Sequence, residues 1–234
     1  MESSVLSDPT DDRPPPIHPP RQARSRETLT RLLDATEAVL REGGLEAATV
    51  PAIAQRAGLS VGAVYRRFPD KDALLRAVHE RVFHRYRDIN ETRLDPGMFA
   101  GATLRQFVEG MIRGMVHAYR QDRRLMQAML QYSETHADPA FRARAAETNV
   151  AALAQLLRII SAKAGEMTHP APEAAARFAL VTVGLVLRGV LLSDTAPPGL
   201  TLDDETDLEA ELTRLVLGYL GVGEGSPSPN AQPG

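Results

Sequence analysis

The chain contains no cysteine, which excludes a disulfide framework and a thiolate zinc finger and makes a reducing compartment the natural expectation. Its start, MESSVLSDPT, lacks the charged-then-apolar pattern of a signal segment. The longest strongly apolar run, FALVTVGLVL (178–187), stops at Arg188 and is expected to be too short to span a bilayer. A cytoplasmic protein with no membrane partner is the expectation. Also missing are a glycine-rich phosphate loop, a nucleophile elbow and any cysteine nucleophile. The clustered carboxylates Asp203, Asp204 and Glu205 open a helical pattern, where a structural role suffices for them. His79 and His84 are five apart, a poor pair for one helix face, and His117, His136 and His169 fall on separate elements. No catalytic residue, no metal site and no cofactor is therefore expected, and the chain reads as a non-enzyme.

What is present is a chain of 234 residues, long enough for one large or two smaller cores. Its net charge of −3 is unevenly spread: residues 1–20 carry −3, residues 21–88 carry +4, and residues 89–234 carry −4. The positive block points weakly to a polyanion, because solvated helix faces are also rich in arginine. Residues 1–22 hold six prolines and residues 223–234 read GEGSPSPNAQPG, so two disordered tails are expected. Between them strand-like alternation is absent and nearly everything recurs at helical period. The expected fold is all-α, with about nine helices, an N-terminal domain over 23–88 and a larger helical domain over 89–222.

The first helix is expected from Ser25, as its cap, to Gly43-Gly44 as its stop, with Leu29, Leu32, Leu33, Thr36, Val39 and Leu40 as its inner stripe. Thr49 then caps a second helix that accepts Pro51 in its first turn and ends at Gly58. Ser60 caps a third helix reaching Phe68, and Asp70 caps a fourth carrying Leu74, Leu75, Val78 and Val82. The second and third meet the packing demands of a helix-turn-helix: Val50, Ile53 and Ala57 face inward, Ala54 is small at the crossing, and Gly58 is free to take positive φ. Leu59 plugs the corner and Val64 and Phe68 point back into the core, with Arg67 in one slot where an apolar residue is expected.

Val64 and Phe68 turned inward leave Gly62, Ala63, Tyr65 and Arg66 on the sides and outer face of the third helix. A mid-helix glycine costs roughly 1 kcal/mol against alanine, so something is expected to approach this backbone closely. A major groove fits: small Gly62 and Ala63 let the helix sink, Arg66 reaches a guanine edge or a phosphate, and the Tyr65 hydroxyl reaches a phosphate. Thr49, Ser60 with Val61, and Lys71 stand at helix starts suited to phosphate, and Arg21, Arg24 and Arg26 precede or open the first helix, where they can follow the backbone or enter a minor groove. Singly, each of these residues is more commonly part of a solvated face. Jointly, the caps, the turn glycine and the inward apolar residues favour a reading head on duplex DNA.

The segment TVPAIAQRAGLSVGAVYRRFPDKDALLRAV (49–78), preceded by a helix that ends in glycine, resembles the N-terminal domain of the tetracycline-repressor (TetR) family of bacterial transcription regulators. The likeness covers about residues 25–80 and rests on Thr49, Ile53-Ala54, Ala57-Gly58-Leu59-Ser60, Gly62, Tyr65, Phe68, Lys71 and Leu74-Leu75. Two residues depart from the pattern: Arg67 takes a place often held by histidine, and Pro51 is less usual in the second helix. The resemblance implies a homodimer that binds a near-palindromic double-stranded operator through two such heads and releases it when a small molecule enters the C-terminal domain. Repression is the family's commoner habit.

The C-terminal part carries no motif of comparable specificity. The segment 172–194 is apolar on nearly all sides and must be buried on more than one face, and 203–222 adds a second apolar stripe. One reading pairs both with their symmetry mates through Ala179, Gly184, Leu187, Leu191, Leu212, Leu215 and Tyr219; the other is a core helix with an amphipathic cover. Leu104, Phe107, Met111, Met115, Met126, Met129 and Tyr132 recur at helical spacing. Such a stripe is more commonly core than cavity, but the resemblance places an effector among the equivalent helices, so an apolar or aromatic ligand is expected there. The alternatives to a ligand-responsive regulator are a constitutive DNA-binding factor without effector and, more weakly, an enzyme using the C-terminal pocket.

Overall fold

Ala, Leu and Arg are the commonest residues of the chain, and the computed structural model, which describes residues 21–193 and 205–223, has nine α-helices and no strand among the described residues. The all-α expectation holds. The expected disordered tails lie outside the described residues, apart from Arg21, Gln22 and Gly223. Helix α1 spans Arg21–Ala47 and so contains Ser25 within it, not as its cap. It is interrupted at Gly44 (φ 68°, ψ −164°), a conformation open essentially only to glycine, so the expected stop is real even though helical hydrogen bonding resumes beyond it.

Helices α2 (Val50–Ala57), α3 (Val61–Tyr65) and α4 (Lys71–Arg93) follow. The pattern predicts a start near residue 99 for the next helix, yet Pro96–Phe99 closes as a separate 3-10 turn under Asp95. Helix α5 (Leu104–Gln121) begins only where Thr103 and Gln106 form a capping box and Glu166 accepts from the Leu104 N–H at 2.7 Å. Helices α6 (Arg123–Thr135), α7 (Pro139–Ser161), α8 (Pro172–Leu191) and α9 (Glu205–Leu220) complete the chain.

Two cores form. The N-terminal one gathers Leu32, Leu40, Ile53, Val64, Leu74 and Val78 from α1–α4, and also Leu125, Ala128, Met129 and Tyr132 from α6 with Phe141 from α7. At about 1.5–3 kcal/mol for each fully buried aliphatic side chain, these contacts bind α6 to the N-terminal head as firmly as the head's own helices. Helix α4 runs unbroken through residue 88, where a domain boundary is expected. The second core packs α5, the end of α7, α8 and α9 around Val108, Ile112, Ile160, Leu180, Val183, Leu187 and Val216.

The apolar run 178–187 lies within the longer helix α8, which by length and composition alone is long and apolar enough to cross a membrane. Its Ala175, Ala176, Ala179, Leu180, Val183, Leu187 and Leu191 are buried, which makes it the central helix of the second core.

A polar junction joins head and body. Glu37 of α1, with its side chain 2% exposed, is held by Arg81 at 2.8 Å, Arg85 at 3.0 Å and Arg41 at 3.2 Å. Arg41 continues to Asp122, the residue between α5 and α6, which also accepts from the Tyr86 hydroxyl at 3.1 Å.

Candidate nucleic-acid interface

The turn between α2 and α3 is built locally. Thr49 Oγ1 accepts from the Ala52 N–H at 3.3 Å and Ser60 Oγ accepts from the Ala63 N–H at 3.2 Å, so both hydroxyls cap helices and keep their own protons free to donate outward. Gly58 adopts φ 63°, ψ 39°, the left-handed turn expected of it. Behind the turn, Val50, Ile53, Ala54, Ala57 and Val64 are all buried. Phe68 packs half-buried against the same core as the anchor beyond α3. Two contacts that the helical period does not reveal brace the motif: Arg31 of α1 donates to the Ala57 carbonyl at 2.6 Å, and Arg56 pairs with Glu42 at 2.6 Å.

With Val64 inward, the opposite side of α3 faces solvent. Val61 is 39% exposed and Tyr65 51%, and Gly62 and Arg66 are exposed with them, while Ala63 is half-buried at the edge. Gly62 has no positive φ, and a Cβ built on it meets only Arg66 Nη1 at 3.9 Å, an ordinary contact. Neither the backbone nor the packing of this protein requires glycine at 62. Thr49 and Ser60 are also exposed.

Helix α4 begins beside α3 under the Asp70 cap, which accepts from the Ala73 N–H at 2.7 Å and leaves Lys71 half-exposed at the helix start. That start is anchored to the body through Asp72, which accepts from the Tyr132 hydroxyl at 2.7 Å, His136 Nε2 at 3.1 Å and Arg76 at 2.8 Å. Those hydrogen bonds outweigh partial burial and hold the Asp72 carboxyl below its usual range. The Tyr132 hydroxyl is pushed up by burial and by Asp72, so it stays protonated and donates. His136 Nδ1 accepts from the Asp138 N–H at 3.0 Å, which leaves the ring proton on Nε2, toward Asp72.

Arg24 and Arg26 are exposed on the first turns of α1, and the side chain of Arg21 lies outside the described residues. The one departure from the motif that turns inward is Arg67, half-buried, whose Nη2 donates to Ser25 Oγ of α1 at 2.9 Å.

The expected effector residues are not brought together. Leu104, Phe107 and Met111 are buried in the second core with Met115 at its edge, whereas Met129 and Tyr132 are buried in the N-terminal core and Met126 is half-buried on α6. The corner at Asp122 splits a stripe that is continuous in the sequence. None of the seven lines either of two surface clefts: one of about 730 Å3 along α4, bordered by Arg81, His84, Arg85 and Ile89, and one of about 340 Å3 between α4 and α7, bordered by Arg87, Asn90, Gln155 and Arg158.

The expected pairing face needs correcting. Ala179, Leu187, Leu191 and Leu212 are buried in the protomer's own core and Gly184 is half-buried, so only Leu215 and Tyr219 of that set face outward. The outward apolar residues of α8 are Phe178 (60% exposed), Val181 and Leu185 (62%), and the Phe178 ring lies 5.6 Å from that of Tyr219 on α9. These three share one helical face, a signal swamped in the sequence because α8 is apolar on the other side too.

A family model described as bacterial regulatory proteins, tetR family, matches residues 32–78, and one described as tetracyclin repressor-like, C-terminal domain, matches residues 103–220. The chain is 36% identical over 104 residues to the HTH-type transcriptional repressor KstR of Mycolicibacterium smegmatis, covering 44% of this chain and 49% of that protein. The match thus spans about half the length of that repressor. It is 30% identical over 170 residues to the HTH-type transcriptional regulator BetI of Paraburkholderia phymatum, covering 70% of this chain and 82% of the relative. Among solved structures, a TetR-family regulator from Mesorhizobium loti superposes with a TM-score of 0.61 at 18% identity, over 85% of this chain and 98% of that one. The regulator FadR from Bacillus subtilis, in complex with stearoyl-CoA, superposes with a TM-score of 0.57 at 20% identity, over 84% and 99% of the two chains. At these identities the likeness in structure is one of fold.

Proposed function

This chain belongs to the TetR family of bacterial regulatory proteins, DNA-binding transcription regulators that are not enzymes, and on that footing we propose a homodimeric repressor released from its operator by a small molecule. The observation that carries the DNA part is the outer face of α3, where Gly62 is smaller than the protein itself requires and is flanked by exposed Val61, Tyr65 and Arg66. Gly62 and Ala63 let α3 enter the major groove, Arg66 reads a base edge or holds a phosphate, and Tyr65, Thr49 and Ser60 donate hydroxyl protons to phosphates. Arg26 and Lys71 add charge on either side.

One head reads too few base pairs to select a site in a genome, so two heads are needed, on half-sites about 34–36 Å apart or a multiple of that. Exposed Phe178, Val181 and Leu185 of α8 with Leu215 and Tyr219 of α9 form the apolar face that supports pairing between copies. An effector in the C-terminal domain, apolar or aromatic by the composition around α5, changes the separation of the heads through α4 and α6. A constitutive factor without effector is the second reading, favoured by the burial of Leu104, Phe107 and Met111 in one core and of Met129 and Tyr132 in the other. A cytoplasmic location accords with either.

The test is anisotropy of the purified protein on duplexes tiled across the DNA beside its own coding sequence, against scrambled duplexes, over a salt series. Selective binding that weakens as salt rises supports the reading. An Arg66→Ala variant with unchanged affinity and sequence preference refutes the role of α3. A thermal-shift screen against a broad metabolite set separates the effector reading, in which some compound raises the midpoint, from the constitutive one.

A further inference from the structure

Helix α3 ends at Tyr65, and Arg66 at its cap is exposed with the outer face. Arg67 comes next, and its own N–H and that of Phe68 both donate to the Val64 carbonyl at 2.9 Å, which turns the chain back toward the core. Arg67 is half-buried as a residue, and its guanidinium donates to Ser25 Oγ at 2.9 Å across 42 positions of sequence, in an exposed hydrogen bond.

Ser25 is exposed and continues the line of the inner stripe of α1, one turn before half-buried Leu29 and two before fully buried Leu32. Beyond Leu29 toward the N-terminus the stripe has no buried apolar residue among the described ones. Among the described hydrogen bonds, Arg67 to Ser25 is the one that ties the first two turns of α1 to the rest of the head, since that of Thr28 goes to Arg24 within α1 itself. Arg24 and Arg26 flank Ser25 and are exposed.

We infer that Arg67 is a positioning residue: its guanidinium holds the arginine-bearing start of α1 at a set distance from the outer face of α3, so that both meet the same DNA duplex. Arg67 itself does not contact the DNA. Arginine suits the position because it reaches a hydroxyl as donor while the hydroxyl keeps its own proton to offer elsewhere. The inference rests on the proposed reading of α3 as the groove-binding helix.

The experiment uses full-length protein and the duplex that the wild type selects from a random-sequence pool. Arg67→Ala and Ser25→Ala should each weaken binding by about three- to tenfold. The double variant should lose no more than either single one. Each should lower the slope of log affinity against log salt by about 1–2 as the contacts of Arg24 and Arg26 are lost. In an Arg24→Ala, Arg26→Ala background, Arg67→Ala should have no further effect. In free protein, hydrogen exchange over residues 21–28 should quicken in Arg67→Ala while the rest of the head is unchanged. A large loss in Arg67→Ala with a neutral Ser25→Ala would overturn the inference, because Arg67 would then act on DNA directly. Unchanged affinity and unchanged exchange in both variants would overturn it too. If the wild type selects no duplex, the reading of α3 falls, and the exchange measurement still decides whether Arg67 holds α1.

Discussion

Arg41 on α1 donates through Nε to Oδ1 of Asp122, between α5 and α6, at 2.9 Å and across 81 positions of sequence. The same carboxylate accepts from Tyr86 of α4, whose hydroxyl is pushed up by burial and by the Asp122 charge and so stays a donor. One residue at the corner of the body therefore touches both the first and the last helix of the head. Arg41 and Asp122 keep side-chain exposures of 40% and 26%, so solvent screens the pair. Asp122→Ala should lower the unfolding free energy by about 1–2 kcal/mol, and a double-mutant cycle with Arg41→Ala should show coupling of about 0.5–1 kcal/mol. Strict additivity in urea denaturation would mean that the contact is idle.

Glu37 is the buried counterpart of that pair. Three guanidiniums converge on one carboxylate, and removing it leaves them facing each other around a gap. Glu37→Ala should cost about 3 kcal/mol. A loss below about 0.5 kcal/mol in the same denaturation assay would show that the arginines turn to solvent freely.

His79 gives the stability a pH dependence. It is 3% exposed, its Nε2 has no hydrogen-bond partner, and the rings of Phe83 and Phe141 stand 4.1 and 4.8 Å away, with Tyr132 and His136 completing the cluster. Burial first, and the nearby His136 second, lower its pKa from 6.5 to about 4. Between those values the unfolded chain binds the proton and the folded one does not, so stability present above pH 6.5 is lost as pH falls toward 4. The loss attributable to this residue should reach about 3 kcal/mol, and His79→Phe should flatten that part of the profile. A variant with the same acid slope as the wild type would assign the slope to other groups.

Gly62→Ala separates folding from DNA binding. The protein has room for the methyl group, so the variant should be more stable by about 0.5–1 kcal/mol, while operator affinity falls because the methyl group holds α3 out of the groove. Thermal melts and anisotropy on the same samples test both halves. Raised stability with unchanged affinity would remove the reason offered for the glycine.

The two sides of α8 should answer differently to substitution. Leu187, fully buried, should lose about 2–5 kcal/mol of stability as Leu187→Ala. Phe178→Asp and Leu185→Asp, on the exposed side, should leave the melting midpoint of the protomer nearly unchanged and convert dimer to monomer in sedimentation. Dimers that survive both aspartates would place the pairing surface elsewhere.

The reading head was legible because its determinants are local. Thr49, Ser60 and Asp70 cap helices within three residues of themselves, Gly58 turns the chain at its own position, and Val64 lies four residues after the Ser60 cap and four before Phe68, on the inward side of α3. The α5–α6 methionines were less legible. Spacing places Met111 and Met129 on apolar helix faces, but nothing in it says that the corner at Asp122 would send one into each core.

The helical class, the caps at Thr49, Ser60 and Asp70, the turn at Gly58 and the placing of Gly62, Ala63, Tyr65 and Arg66 on the sides and outer face of α3 follow from the sequence alone, because they depend on the period of a single helix and on backbone preferences within a few residues. Tertiary structure decided the rest: that α6 packs with the head, that Glu37 is buried among three arginines, that Arg67 reaches back to Ser25, and that Phe178, Val181 and Leu185, not Leu187 and Leu191, form the open face of α8. A helix apolar on nearly all sides carries no period from which its buried face can be read. A side chain's partner 42 or 81 positions away is chosen only when the helices pack.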